Sequence, residues 1–352
     1  MDIHSYLKEA VDQGASDILI IAGLPLSFKI AGAIRPQSPE KLGPDSSREA
    51  VQQLYALANR DVQRYAETGD DDFSLSIPGL SRFRVNAYRQ RSSMAAVIRV
   101  VSFDLPDHEE LGIPGEVMAV AKKSRGLVLV TGPSGGGKST TLACIVEAIN
   151  QSRNCHIITL EDPIEYLYRN KEAAVSQREI ATDTGNYLTA LRACMRQTPD
   201  VILLGEMRDF ETIRTAMTAA ETGHLLLSTL HTTGAVSTID RIIDVFPPDQ
   251  QQQIRVQLSM VLQTVISQQL LPTVDGREVP AFEIMHLNSA VRNLIREAKI
   301  HQIDAVIQSS AAEGMISMDQ SIAALYNAGR ITEETALKYA VNPEQLRRRL
   351  RV

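Results

Sequence analysis

The chain of 352 residues contains no tryptophan and only three cysteines, Cys144, Cys155 and Cys194. The cysteines are far apart and form no C-x-x-C pair, so the sequence predicts neither a zinc ribbon nor a disulfide framework, and a reducing cytoplasm suits it best. The N-terminus lacks the apolar segment of a signal peptide. The most apolar later stretch, residues 256–271, is interrupted by glutamines, which argues against a membrane-spanning helix.

An excess of positive charge is also missing, because the formal net charge is −6. This charge gives no overall attraction to nucleic acid, so no nucleic-acid partner is expected and a nucleic-acid motor is disfavoured. With 44% hydrophobic and 22% charged residues, the composition is typical of a soluble globular protein. The length exceeds what a single hydrophobic core usually serves, which predicts two domains.

The first part of the chain, residues 1–101, mixes helical and strand patterns. Phe83 and Val85 alternate with Arg82 and Arg84, as in a strand with one buried face. We expect a smaller α+β domain here, with a mostly antiparallel sheet. Prolines and glycines concentrated after it predict an interdomain linker over residues 102–115.

Residues 116–352 are predicted to form an α/β domain. Apolar strand segments alternate with helical segments up to about residue 232, which is typical of a parallel sheet covered on both faces. After that point the pattern is mostly helical, apart from a hairpin predicted at residues 274–277, where Asp275-Gly276 favours a tight turn.

A glycine-rich motif follows the apolar run at residues 127–130 and fits Gly-x-x-x-x-Gly-Lys-Ser. Such a loop turns its backbone N–H groups toward phosphate oxygens, and the following helix adds the positive end of its dipole. Lys138 would reach the β- and γ-phosphates, and the Ser139 hydroxyl would bind Mg²⁺. The predicted nucleotide contacts are the loop and the helix start: Gly132, Pro133, Ser134, Gly135, Gly136, Gly137, Lys138, Ser139 and Thr140.

Acidic residues follow two other apolar strand segments. Residues 201–204 precede Gly205 and Glu206, and Gly205 stands where an Asp is usual, so Glu206 would orient water or act as general base. The alternative is a carboxylate that merely caps the next helix. Residues 156–160 precede Glu161, Asp162 and Glu165, which would hold hydrated Mg²⁺ or polarise water, unless they are ordinary surface acids. Among these three Glu165 ranks first, and Glu165 and Glu206 would reach a metal through water.

Two histidines bracket the apolar run at residues 225–230. His231 is expected near the tip of the sheet, where it would hydrogen-bond a γ-phosphate and report its presence. His224 is a second candidate nucleotide contact, although a buried histidine with satisfied hydrogen bonds is the alternative, more so for His224 than for His231. A metal site formed by the pair has weak support, since no Cys or carboxylate stands at ligand spacing.

Four motifs in this order resemble those of the secretion and type IV pilus ATPases, most closely the pilus retraction motors. They are the phosphate loop, an acidic segment at 159–165, the segment Gly205-Glu206-Met207-Arg208-Asp209, and a histidine segment at 224–231. The likeness extends along nearly the whole chain and includes residues 290–297, which resemble a C-terminal segment that the family links to retraction. An ordinary amphipathic helix is the alternative for that segment. The loop departs from the family's usual Thr-Gly-Ser-Gly at Ser134-Gly135-Gly136-Gly137, which removes no phosphate ligand.

The resemblance implies a RecA-like ATPase domain after a PAS-like N-terminal domain, and a homohexameric ring with ATP and Mg²⁺ between subunits. It implies ATP hydrolysis that powers pilin disassembly and twitching motility. The expected partners are the pilus machinery and a platform protein of the inner membrane, with the chain at the cytoplasmic face of that membrane.

A ring also suggests a role for arginines of the N-terminal domain. Transition-state charge needs cations, and Lys138 is the obvious one in this chain's own motif. Our hypothesis is that Arg82, Arg84 or Arg99 acts on the site of a neighbouring subunit. Exposed arginines on a strand are usually only solvated, which is the alternative.

Other functions remain open. Pilus-assembly relatives generally carry a longer N-terminal extension and a cysteine-based metal site, and their absence favours retraction over assembly. An accessory retraction ATPase, paralogous to the main motor, is a further alternative. A nucleic-acid translocase on the same RecA-like core would show salt-sensitive DNA binding. A GTPase is a last possibility, but Asn170-Lys171-Glu172-Ala173 lacks the Asp of the guanine-binding motif.

Overall fold

The computed structural model describes residues 2–30, 32–101 and 105–350. The chain divides into two compact units. An amino-terminal unit comprises Met1–Asp104 and Ile164–Leu167, and a carboxy-terminal unit comprises Leu105–Pro163 and Tyr168–Val352. Within the predicted linker, residues 102–104 lie outside the described residues.

The amino-terminal unit is an antiparallel sheet with helices on one face. Its elements are α1 (Ile3–Asp12), β1 (Asp17–Ile20), β2 (Pro25–Ile30), β3 (Ala33–Lys41), α2 (Pro44–Leu57), α3 (Gln63–Thr68), β4 (Asp70–Ile77), β5 (Ser81–Gln90) and β6 (Ser93–Val101). The strand order is β3-β2-β1-β6-β5-β4. Phe28 and Phe83 are fully buried in its core with Leu54 of α2. Strand alternation puts Phe83 and Val85 inside, as predicted, whereas α3 and β4 had no counterpart in the sequence analysis.

The carboxy-terminal unit contains a larger sheet between layers of helices. Its elements are α4 (Gly115–Met118), β7 (Gly126–Thr131), α5 (Lys138–Ser152), β8 (His156–Glu161), β9 (Ala174–Glu179), α6 (Tyr187–Cys194), β10 (Val201–Leu204), α7 (Phe210–Glu221), β11 (Leu225–Leu230), α8 (Ala235–Asp244), α9 (Gln251–Val261), β12 (Leu262–Pro272), β13 (Glu278–His286), α10 (Ser289–Arg296), α11 (Ile303–Ser309), α12 (Met318–Asn327), α13 (Glu333–Tyr339) and α14 (Pro343–Leu350). The strand order is β13-β12-β7-β11-β10-β8-β9.

The central strands are parallel and buried on both faces, as the apolar runs predicted. On β7, Leu127 and Leu129 pack into one hydrophobic cluster, while Val128 and Val130 pack into another on the opposite face. Parallel strands covered twice by helices have little room for polar side chains along their length. Functional groups of this unit are therefore expected where the strands end.

The region after residue 232 is less helical than predicted. The long strands β12 and β13 form the predicted hairpin, antiparallel to each other, and β12 also pairs in parallel with β7. Glutamines interrupt the apolar pattern of β12, so the sequence did not predict this strand. One of them, Gln268, is nevertheless almost completely buried. Among the described residues, none of the helices has the length and apolar character required to cross a membrane.

Candidate functional site

The strand register brings the ends of four motif-bearing strands to one edge of the sheet. Thr131 of β7 lies opposite Leu230 of β11. Leu204 of β10 lies opposite Ser228 of β11 and Leu160 of β8. Because these strands are parallel, the residues that follow each of them emerge together at the carboxyl edge, where α/β proteins bind ligands. The phosphate loop, Glu206 and His231 follow β7, β10 and β11, and Glu161 is the last residue of β8.

The phosphate loop is closely packed against β12. A Cβ atom added at Gly132, whose φ is 139°, would lie 2.0 Å from the carbonyl oxygen of Gln268. A Cβ added at Gly137, whose φ is 79°, would lie 2.7 Å from Gln268 Nε2. The left-handed φ values and the lack of space both require glycine at these positions. The cradle is thus built by packing as well as by backbone flexibility.

Lys138 is the first residue of α5 and only 8% exposed. Its Nζ donates hydrogen bonds to the carbonyl oxygens of Gly132, at 2.9 Å, and Pro133, at 2.8 Å. The ammonium group therefore lies inside the loop. Gly137 precedes α5 without a side chain to cap its N–H groups, so the helix N-terminus is open to an anion. Ser139, in the first turn, is exposed.

Glu206 lies between two cationic or polar partners at the end of β10. Its Oε2 is 2.6 Å from Arg208 Nε and 3.6 Å from His231 Nε2. The Glu206 side chain is 13% exposed and that of His231 54% exposed. The helix-capping alternative for Glu206 is wrong, because Asp209 accepts the N–H of Thr212 at 2.9 Å and caps α7.

Arg208 and Tyr187 were not singled out by the sequence analysis. Arg208 stood in the recognised motif only two residues after Glu206, which was a usable signal. Tyr187 is contributed by α6, distant in sequence, and only the fold brings it to this edge. Burial raises the pKa of the Tyr187 phenol, and the negative charges of Glu206 and Asp162 raise it further. The phenol therefore remains protonated beside the acids.

Tyr187 also accounts for Gly205 in place of the usual Asp. A Cβ atom at position 205 would lie 2.7 Å from Tyr187 Oη and 3.2 Å from the carbonyl oxygen of Leu160. No side chain fits there without displacing one of these neighbours. The carboxylate at this strand end consequently stands one residue further on, at Glu206.

The three acids at the end of β8 and just beyond it have different surroundings. Glu161 Oε1 accepts hydrogen bonds from Thr159 Oγ1 at 2.5 Å and Gln177 Nε2 at 3.3 Å. Asp162 is exposed at the same strand end. Glu165 is exposed in the segment Ile164–Leu167, which is grouped with the amino-terminal unit. The first rank of Glu165 among these acids stays a prediction.

His224 does not lie at the phosphate-binding edge of its own chain. It precedes β11 whereas His231 follows it, and seven residues of extended strand span about 23 Å. His224 Nδ1 is 2.9 Å from the carbonyl oxygen of Ala219 and bonds the last turn of α7. Strand direction therefore separates His224 from the phosphate loop of its own chain, and a contact between His224 and nucleotide stays a prediction.

The candidate arginines share one face of the amino-terminal sheet. Arg84 of β5 lies directly opposite Arg99 of β6, and Arg82 is two residues from Arg84, so all three point to the same side. Arg99 Nε is 3.1 Å from Asp17 Oδ1, and Arg82 Nη1 donates to Ser76 Oγ at 3.1 Å. Arg84 and Arg99 are exposed.

The sequence of this chain is similar to those of known proteins along most of its length. The family model described as "Type II/IV secretion system protein" matches residues 1–324. The chain is 44% identical over 348 residues to the type IV pilus retraction ATPase PilT of Pseudomonas aeruginosa, covering 98% of this chain and 99% of that protein. It is 38% identical over 348 residues to the type IV pilus ATPase PilU of the same organism, covering 99% and 91%.

A solved structure agrees along the whole chain. The crystal structure of the pilus retraction motor PilT with bound ADP superposes with a TM-score of 0.89 at 43% identity, covering 99% of both chains. A family match over most of the chain, with relatives of this identity and length, leaves no ambiguity about ancestry. The chain therefore belongs to the family of type II/IV secretion system proteins.

Proposed function

We propose that this protein is a motor ATPase that hydrolyses ATP and, as a ring of six copies, powers type IV pilus retraction. The observation that carries the proposal is the meeting of Lys138, Glu206 and His231 at the ends of neighbouring parallel strands. A phosphate cradle with its lysine, and a side chain that orients the attacking water, are parts that triphosphate hydrolysis uses. The full-length likeness to a pilus retraction ATPase supplies the process that the hydrolysis drives.

In the proposed reaction the triphosphate lies in the loop, and the Lys138 ammonium turns from the loop carbonyls to the β- and γ-phosphates. Glu206 orients the water that attacks the γ-phosphorus and accepts its proton, while the bond from that phosphorus to the bridging oxygen breaks and ADP leaves. Arg208 is 75% exposed in its side chain and can leave Glu206 when the water arrives. The phenol of Tyr187 is a neutral hydrogen-bond donor near these acids.

The site also suits the metal that accompanies ATP. Mg²⁺ prefers oxygen ligands and commonly keeps several waters while it binds substrate phosphates. The Ser139 hydroxyl would bind it directly, and the carboxylate of Glu206 would act through water. When bound, the metal neutralises phosphate charge during hydrolysis.

Conversion of hydrolysis into motion is proposed to use His231. Its ring lies 3.6 Å from Glu206, so a γ-phosphate whose attacking water is held by Glu206 would lie within reach of the His231 imidazole. Loss of that phosphate removes the contact and releases the segment that leads into α8. One or more of Arg82, Arg84 and Arg99 would come from the neighbouring copy and offset transition-state charge, which their common face on the sheet allows.

The proposed partners are the other five copies, the pilus machinery and an inner-membrane platform protein, with the ring at the cytoplasmic face of that membrane. Helix α10 lies in the segment that resembles the family's retraction element. Its Val291 and Ile295 are fully buried, while Arg296 is exposed. The buried pair holds the helix in place and leaves its outer face for a partner.

Genetic deletion tests the direction of the motor. A strain that lacks this protein should carry excess surface pili and lose twitching motility, because extended pili are no longer withdrawn. Complementation with the wild-type gene should restore motility, and complementation with Glu206→Gln should not. Deletion that abolished surface pili would instead assign the protein to pilus assembly.

The likeness to PilU supports a second candidate, an accessory pilus ATPase. The two candidates differ in what the protein achieves alone. As the sole family member expressed in a strain without its paralogues, a main motor restores retraction, whereas an accessory one restores none. DNA-stimulated ATP hydrolysis by the purified protein would favour a nucleic-acid translocase over both.

A further inference from the structure

We infer that Gln268 is a positioning residue of the phosphate loop, and that its side chain sets the affinity of the site for nucleotide phosphates. The inference rests on the proposed function, since it concerns the same site. In the sequence, Gln268 is one of the glutamines that interrupt an apolar stretch. In the structure it is 2% exposed and lies against the loop.

The backbone of Gln268 bounds the start of the loop. Ser267 of β12 is paired with Thr131 of β7, so Gln268 lies just beyond the paired strand end and faces Gly132. The 2.0 Å separation between its carbonyl oxygen and a Cβ added at Gly132 shows how closely the backbone segments at Gln268 and Gly132 approach each other. The first glycine of the loop is therefore fixed by β12.

The side chain of Gln268 bounds the end of the loop. Its Oε1 accepts a hydrogen bond from Thr141 Oγ1 at 2.6 Å, in the first turn of α5. Its Nε2 lies against Gly137, where a Cβ would be 2.7 Å away. Thr141 is fully buried, so this hydrogen bond is shielded from water and holds its geometry.

One residue thus contacts both ends of the loop and the helix that follows it. The separation of these ends decides how far the loop curls, and the curl decides whether its N–H groups converge on phosphate oxygens. Without the Gln268 side chain, a gap would open beside Gly137 and the free loop would sample more conformations. Nucleotide binding would then have to order the loop, which lowers affinity.

The position of Gln268 predicts little effect of its substitution on the chemical step. In the sheet, β7 and β11 separate β12 from β10. Gln268 on β12 and the end of β10, which Glu206 follows, are therefore about 14 Å apart. Once nucleotide is bound, Glu206 and the water meet as in the wild type. Gln268 should therefore affect KM and the dissociation constant far more than kcat.

The neighbouring residue provides a matched control. Gln269 is on the same strand, but its Nε2 donates to the carbonyl oxygen of Tyr339 at 3.1 Å, away from the loop. Gln268→Met and Gln269→Met remove the same amide from adjacent positions and keep a similar volume. A general weakening of β12 would follow from both changes, whereas loss of loop positioning would follow only from the first.

The test is calorimetric titration of the full-length protein with ADP, together with steady-state ATPase kinetics. Gln268→Met should raise the ADP dissociation constant and the KM for ATP about tenfold, since one buried hydrogen bond and its packing are lost. Its kcat should stay within about threefold, and Gln269→Met should bind ADP like the wild type. Thr141→Val should weaken binding and Thr141→Ser, which keeps the hydroxyl, should not. Because Thr141 and Gln268 act as one unit, the double variant Gln268→Met/Thr141→Val should be no weaker than Gln268→Met alone.

Several outcomes would overturn the inference. These are unchanged ADP binding by Gln268→Met, equal weakening by Gln269→Met, additive losses in the double variant, or a fall in kcat without a change in binding. If Gln268→Met does not fold, equal ADP binding by Thr141→Val and Thr141→Ser rejects the inference. Failure of the wild-type protein to bind or hydrolyse ATP would refute the proposed function as well, so the two failures are distinguishable.

Discussion

The amino and carboxyl ends of the central strands in the large sheet carry similar residues with different surroundings. Strand β10 has Asp200 before it and Glu206 after it, and β11 has His224 before it and His231 after it. At the amino edge, Asp200 accepts the N–H of His156 at 2.8 Å and His224 bonds the end of α7. At the carboxyl edge, Glu206 and His231 approach each other beside the phosphate loop. Residue type alone therefore does not assign function here, because strand direction decides which carboxylate and which imidazole meet.

The carboxylates at the two ends of β10 should give the largest contrast. Glu206→Gln should lower ATP turnover about 10²- to 10⁴-fold while nucleotide binding persists, because the group that accepts the proton is lost. Asp200→Asn keeps an oxygen that accepts the N–H of His156, so its turnover should equal that of the wild type. Rapid-quench ATPase assays and ADP titrations measure both effects. Substantial hydrolysis by Glu206→Gln would remove this residue from the chemistry.

Substitution of the cations at the two ends of β7 should affect ATP binding to almost as different degrees. Lys138→Ala should weaken ATP binding about 10- to 100-fold, because a charge-assisted contact with the phosphates is lost. Arg125, exposed just before β7, is the matched cation at the opposite edge. Arg125→Ala should leave the ATP dissociation constant unchanged in fluorescence titrations with a labelled nucleotide. Similar losses for both variants would mean that net charge, and not position, governs binding.

The histidines around β11 should separate catalysis from stability. His231→Ala should lower turnover about tenfold, because one hydrogen bond to the γ-phosphate is lost. His224→Ala should keep the intrinsic turnover of each site and reduce the free energy of unfolding by about 1 kcal/mol, through loss of its bond to Ala219. Denaturant unfolding and ATPase assays on both variants give the comparison. A catalytic loss confined to His224→Ala would reverse the assignment made from strand direction.

The smallest expected effect concerns Gly205. Gly205→Ala introduces a methyl group 2.7 Å from Tyr187 Oη, so the carboxyl edge should be displaced and turnover should fall several-fold. Tyr187→Phe in the same chain removes the clashing oxygen and should recover part of the loss. Tyr187→Phe alone serves as the control. Recovery should be absent if the Gly205→Ala defect arises elsewhere, for example at the carbonyl oxygen of Leu160.

Much of the site could be read from local patterns. The glycine motif and the acids lie directly after apolar strand segments in the sequence, so the sequence predicted these strands and the groups at their ends. Contacts between distant segments were less accessible. Tyr187 reaches the acids only through the packing of α6, and Gln268 reaches the loop only because β12 pairs with β7. The glutamines of β12 were interpreted as interruptions, since sequence periodicity does not reveal that a buried amide has a partner.

The sequence by itself determined the phosphate loop, the doubly covered parallel sheet and the family motifs, because these follow from short-range spacing and continuous apolar runs. Only the tertiary structure decided which of two similar residues lies at the site. Strand order and register decide that His231, and not His224, lies near Glu206, and that Gln268 lies beside Gly132 and Gly137. The tertiary structure likewise shows that Asp209, and not Glu206, caps the next helix. Strand order and register are set by long-range packing of the whole sheet, which no single stretch of sequence contains.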